Sequence, residues 1–169
     1  FVPMVIKKVL DGDTVTIHAS PEGKPGSRYY LHARNQADAL VHLLKVYMGH
    51  DIENAGDGAN YYISRTIEQL KGEGESLIYE NEMVRPPKFH VVGEREVDNL
   101  EMATLIAQYA GKPLHHELVD FHSSRPGHDL RYALDGERIR SLGWSAPMSM
   151  EESLQRTVKW TMDRPDWLL

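Results

Sequence analysis

No cysteine occurs among the 169 residues. That excludes a disulfide framework, thiolate zinc sites and a cysteine nucleophile. No apolar run approaches the roughly 20 residues needed to span a bilayer. Positive charge is not in excess: 19 Lys and Arg stand against 25 Asp and Glu, a formal net charge of −6. This balance argues against nucleic acid or an anionic membrane as partner. The sequence contains no G-x-G-x-x-G turn, no P-loop and no H-E-x-x-H, and no tyrosine stands four residues before a lysine. Tyr109 and Lys112 are three apart, the wrong spacing for a tyrosine–lysine base. The start, Phe1-Val2-Pro3-Met4, lacks the charged n-region of a secretory leader, so none is expected. It also lacks an initiator methionine, and the chain is expected to be a piece of something longer. What remains, 41% hydrophobic and 26% charged residues, is ordinary for a globular domain.

Apolar periodicity predicts mixed α and β structure. Val2, Val5, Ile6, Val9 and Leu10 recur at helical spacing, with Pro3 in the first turn and Gly12 after the last. Thr14 to His18 alternates as a strand, and residues 20–27 form a turn-rich loop. A second short strand is expected from Arg28 to His32, then a helix capped by Asn35 and carrying Ala39, Leu40, Leu43 and Leu44. Residues 45–88, broken by Asp57-Gly58 and Gly72-Glu73-Gly74-Glu75, read as a divergent insertion. Phe89 to Gly93 reads as a buried strand. Asp98 and Glu101 have capping-box spacing ahead of Leu100, Ala103, Ile106, Ala107 and Ala110. Leu114 to Phe121 alternates as a strand. Asp135 is placed to cap a helix through Ile139 and Leu142, closed by Gly143. Ser149 and Glu152 open another through Leu154 and Val158. Met148, Met150, Met162 and the tryptophans are expected to pack in the core and at the C-terminus.

Chemistry concentrates in Arg125-Pro126-Gly127-His128-Asp129-Leu130-Arg131-Tyr132. Two guanidiniums and an imidazole flank a Pro-Gly turn, a composition suited to phosphate or carboxylate; a solvated loop with Arg125 paired to Asp129 is the plain alternative. Nine histidines are present. His115 and His116 face opposite sides of a strand and no fixed i,i+4 pair falls on a predicted helix, so no metal site is expected.

The run from Arg125 to Trp167 resembles the C-terminal end of the dTDP-glucose 4,6-dehydratase family of extended short-chain dehydrogenase/reductases. The likeness lies in R-P-G-H-D-x-R-Y-A-x-D, in Leu142-Gly143-Trp144, in Thr157-Val158-Lys159-Trp160 and in Trp167. More weakly, Val2 to Ile6, Arg28 with Leu31 and Ala37-Asp38-Ala39-Leu40, and Phe89 to Gly93 with Asn99-Leu100-Glu101 resemble earlier parts of the same family. Residues 45–88 are not covered. Tyr29 and Tyr30 stand where the family has Asp-Trp, and His32 where Tyr is usual.

The resemblance implies an α/β fold: the small, α+β-like substrate-binding domain of an extended short-chain dehydrogenase/reductase, spanning residues 1–169, without the Rossmann half. It implies NAD bound by an N-terminal half, in cis or as a separate chain, and no cofactor or catalytic residue in this chain. The implied ligand is a dTDP- or UDP-linked sugar. Arg28 and Arg125 would neutralise its diphosphate, Asn99 and His128 would fix orientation, and His18 would lie near the nucleoside. Asn99 as a mere helix cap and His128 as a loop brace remain alternatives. So do a related epimerase or decarboxylase, or a stand-alone nucleotide-sugar-binding module. A cytoplasmic location is expected.

Overall fold

The computed structural model describes residues 1–48, 88–124 and 129–168. The chain divides into two compact units, residues 1–32, 92–135 and 146–169, and residues 33–91 and 136–145.

The first unit is built on three helices, α1 (Val2–Asp11), α3 (Asn99–Ala110) and α6 (Met150–Met162). They pack on one another, and α1 and α3 also pack on strand β1 (Val15–Ala19). Their shared core is the stripe that the periodicity marked: Val5, Ile6 and Val9 meet Met102, Ile106 and Ala107, with Leu154, Val158, Val15 and Ile17. Burying such aliphatic side chains is the main favourable term in folding. Two of the predicted caps form here. The Asp98 carboxylate accepts from the Leu100 and Glu101 amides at 2.9 and 2.8 Å. Ser149 Oγ accepts from the Glu152 amide at 3.1 Å. Each satisfies first-turn donors that have no partner inside a helix. The acids expected to close the two capping boxes turn elsewhere: Glu101 and Glu151 both pair with Arg95, at 2.8 and 2.7 Å, and Glu152 pairs with Arg156.

Two small sheets complete this unit. β1 pairs in parallel with β4 (His116–Asp120), and the helical turn α4 (Phe121–Ser124) follows β4. The second sheet has the order β3 (Val97–Asp98), β2 (Ser27–Arg28), β5 (Arg131–Tyr132); β2 is antiparallel to β3 and parallel to β5. After α6, a 3₁₀ turn over Pro165–Leu168 packs back on α1 and α6.

The second unit contains α2 (Ala33–Met48) and the short α5 (Glu137–Ser141). Trp144 is buried and donates its indole N–H to Asp38 at 2.9 Å, the partner a buried indole needs. The His42 ring meets the Leu142 carbonyl at 3.0 Å, and Arg138 lies over the Phe89 ring at 5.1 Å.

Several expectations need correction. The second strand is two residues long, because Tyr29 to His32 leave the ladder. α2 begins at Ala33, so Asn35 is a buried residue of its first turn and not its cap. Of the α2 apolar set, Ala39 is buried while Leu40 and Leu44 are exposed. Phe89 to Gly93 forms no strand; the ladder forms later, at Val97–Asp98. Gly136, not Asp135, caps α5. Met148, Met150 and Trp144 are buried, but Met162, Trp160 and Trp167 are exposed. The last two stack on each other with ring centroids 5.6 Å apart. The predicted insertion lies almost entirely outside the described residues.

Candidate functional site

Two glycines shape the ground on which Arg28 stands. The Gly26 amide donates to the His18 carbonyl at 3.1 Å, and its own carbonyl accepts from the Asn99 amide at 2.8 Å. A Cβ at Gly26 would lie 2.8 Å from the Leu130 carbonyl oxygen, and one at Gly93 would collide with the Tyr30 carbonyl oxygen. Only glycine lets backbones approach this closely. The turn-rich loop therefore delivers β2 to the first turn of α3, and the chain at residue 93 can pass directly against Tyr30.

Successive strand residues face opposite ways, and Ser27 and Arg28 enter two different environments. On the Ser27 side, Glu96 Oε1 accepts from Ser27 Oγ at 2.5 Å and from Arg131 Nε at 2.6 Å, while Oε2 accepts from Arg131 Nη2 at 2.7 Å. This bidentate fork, with the Ser27 hydroxyl, holds the Glu96 carboxyl down at about 2.

On the other side, the Arg28 guanidinium lies over the Tyr132 ring, 4.7 Å from its centroid, as a cation–π pair. Beside it, the Tyr30 hydroxyl donates to Asn99 Oδ1 at 2.6 Å. Burial pushes the Tyr30 phenol up to about 12; the Arg28 charge opposes this and Asp98 adds to it. Arg28 forms no salt bridge with any described residue, unlike Arg95, Arg131 and Arg156.

Of the residues expected to bind, Arg28 and Asn99 are thus joined through Tyr30. Asp98 takes the helix-capping role, which leaves the Asn99 amide, buried at 7% exposure, for Tyr30. His18 lies on β1, touches this cluster through the Gly26 amide, and sets its ring edge-on to Phe121 at 6.1 Å. Arg125 and His128 lie outside the described residues. Sequence reasoning missed Tyr30, Ser27 and Glu96. Tyr30 carried one signal, its departure from the family's Trp. Glu96 carried none, because its partner Arg131 is 35 residues away. The second guanidinium of the basic run, Arg131, is committed to that carboxylate.

Among the described residues, no cluster of His, Cys, Asp and Glu could hold a metal ion. No helix among them is long and apolar enough to cross a membrane.

No protein-family model matches the chain. Over 89 residues the chain is 34% identical to the dTDP-glucose 4,6-dehydratase of Neisseria meningitidis serogroup B, covering 47% of this chain and 25% of that enzyme. In fold it is similar to the solved dTDP-glucose 4,6-dehydratase of Bacillus anthracis in complex with NAD. The TM-score is 0.62 at 20% identity, over 98% of this chain and 40% of that one. The UDP-glucose 4-epimerase of Thermus thermophilus, solved with NAD, gives 0.60 at 19% identity, over 96% and 40%. The structural likeness is one of fold alone, with the part of those two enzymes that the chain spans. The match covers about a quarter of the curated relative and two fifths of the solved chains.

Proposed function

We propose, from this kinship with the dTDP-glucose 4,6-dehydratases, that the chain is the nucleotide-sugar-binding part of an NAD-dependent nucleotide-sugar 4,6-dehydratase. The fold likeness does not separate dehydratase from epimerase; the sequence likeness over half the chain favours the dehydratase. In this reading residues 1–169 are one substrate-binding domain with an insertion at about 45–88, working in the cytoplasm with an N-terminal Rossmann half in cis or as a separate chain.

The observation that carries the reading is the charge of Arg28, held by two phenols and paired with no carboxylate among the described residues. A guanidinium placed this way on a rigid strand suits an anion with several oxygens. A sugar-linked diphosphate has that character, and Asn99 adds an amide beside it. Arg125, His128 and His18 belong to the proposal as further contacts to diphosphate and nucleoside.

In this reading the nicotinamide cofactor is held by the N-terminal half: the sequence has no G-x-G-x-x-G turn, and among the described residues the turn after β1, Ser20-Pro21-Glu22-Gly23, returns to β2 instead of opening a helix. The chain's own contribution is to bind and orient substrate.

Calorimetric titration with dTDP and UDP tests this. Arg28→Ala should lose most of the affinity, since a charge-assisted hydrogen bond is worth about 1.5–3 kcal/mol. Arg125→Ala should do the same. Equal affinity in wild type and both variants would remove the site.

A further inference from the structure

An asparagine amide can present either its oxygen or its nitrogen to a ligand, and the two ends recognise opposite partners. In the cluster around Arg28 that choice is made by a neighbour. The Tyr30 hydroxyl lies 2.6 Å from Asn99 Oδ1. The positive charge of Arg28 stands beside the same phenol, so turning the O–H toward the cation is unfavourable and the proton is directed to Asn99. The other end of the amide lies against Gly26, whose absent Cβ would be 3.3 Å from Asn99 Nδ2. Asn99 is 7% exposed as a residue, so its side chain is held by its neighbours and does not turn freely in bulk water.

Tyr30 is itself held in place. It packs against the core, its ring centroid is 6.3 Å from that of Phe1, and Gly93 presses on its backbone. Burial keeps its phenol protonated far into the alkaline range, so it acts as a donor wherever the protein works.

We propose that Tyr30 is a positioning residue that locks Asn99 with its oxygen turned inward, so that Asn99 offers its ligand a donor. With Arg28, also a pure donor, the cluster then selects an acceptor-only group, the oxygens of a diphosphate, and disfavours ligands that present N–H or O–H there. The ligand half of this inference rests on the nucleotide-sugar reading above; the lock itself does not.

The test uses the full-length protein, labelled with ¹⁵N, as wild type, Tyr30→Phe, Asn99→Ala and the double variant, with Arg28→Ala as control. Titration with UDP and dTDP should show Tyr30→Phe binding roughly 2- to 10-fold more weakly, the worth of one neutral hydrogen bond. In the Asn99→Ala background, Tyr30→Phe should cause no further loss. Losses that multiply independently would overturn the proposal, because a merely structural role acts with or without Asn99. Full affinity in Tyr30→Phe alongside lost affinity in Arg28→Ala would also overturn it while leaving the binding site standing. If the wild type binds neither nucleotide, the site reading fails. The lock is then judged on the Asn99 side-chain amide resonances without ligand. A clear shift between wild type and Tyr30→Phe supports it, and unmoved resonances refute it.

Discussion

Ser27 and Arg28 are neighbours on a two-residue strand, yet their surroundings differ in one respect that decides what each can do. Around Ser27, positive and negative charge cancel: Arg131 and Glu96 share a two-pronged bond, and the Ser27 hydroxyl donates to the same Glu96 Oε1 that takes Arg131 Nε. Around Arg28, the cation is held by aromatic rings and a phenol that cannot neutralise it. The same residue type is a staple on one side and, in the function proposed above, a receptor on the other. Charge alone does not separate the two arginines; the nearby carboxylate of one and not the other does. The Arg95 pairs, linking Glu101 on α3 to Glu151 on α6, belong with the staple.

The contrast can be broken at its shared support. Gly93→Ala would drive a methyl group into the Tyr30 carbonyl and should destabilise the fold by about 3 kcal/mol, through backbone displacement, with a matching fall in melting temperature. Nucleotide affinity should fall with it, since Tyr30 and Arg28 lie on the displaced segment.

Arg28→Gln should leave the melting temperature almost unchanged, because no ion pair is lost, while weakening UDP or dTDP binding roughly 10-fold or more. Glu96→Gln should do the reverse, lowering thermal stability and sparing the affinity. Calorimetry and thermal unfolding on both variants would cross if the two sides have their assigned roles. Parallel effects would erase the distinction.

The two sides should also differ in pH response. The folded Glu96 carboxyl is depressed to about 2, below the usual value near 4.3. Its stabilising contribution is therefore present above about pH 4.3 and lost as pH falls through 2. The stability gap between wild type and Glu96→Gln should close over that window in acid unfolding curves. Tyr30 runs the other way. Its folded phenol is raised to about 12, so its contribution is complete below pH 10 and disappears as pH rises through 12. Tyr30→Phe should flatten the alkaline loss of stability in that range. Ultraviolet titration should find in the wild type a late-ionising tyrosine that Tyr30→Phe lacks, the smallest of these effects.

Much of the scaffold was legible in local patterns. The stripes of α1, α3 and α6 became the core because helical periodicity fixes which side chains share a face, and Asp98 and Ser149 cap because a short oxygen-bearing side chain suits an open first turn. The strands were harder. Phe89 to Gly93 is apolar enough for a strand, but no edge among the described residues pairs with it; ladders form where two segments meet, as Val97–Asp98 meets Ser27–Arg28. Trp160 and Trp167, expected in core or C-terminal packing, stack on each other near the C-terminus but at the surface.

The sequence by itself determined the absence of cysteine chemistry and of a dinucleotide turn, the helical faces and their caps, and the motif run that brought Arg28 and Asn99 forward. Those properties depend on residue identity and short-range spacing. Only the tertiary structure decided that Arg131 is neutralised by Glu96, that Tyr30 joins Arg28 to Asn99, and that Gly26 and Gly93 must be glycine. Each depends on contacts between segments 35 to 104 residues apart, which local periodicity does not encode.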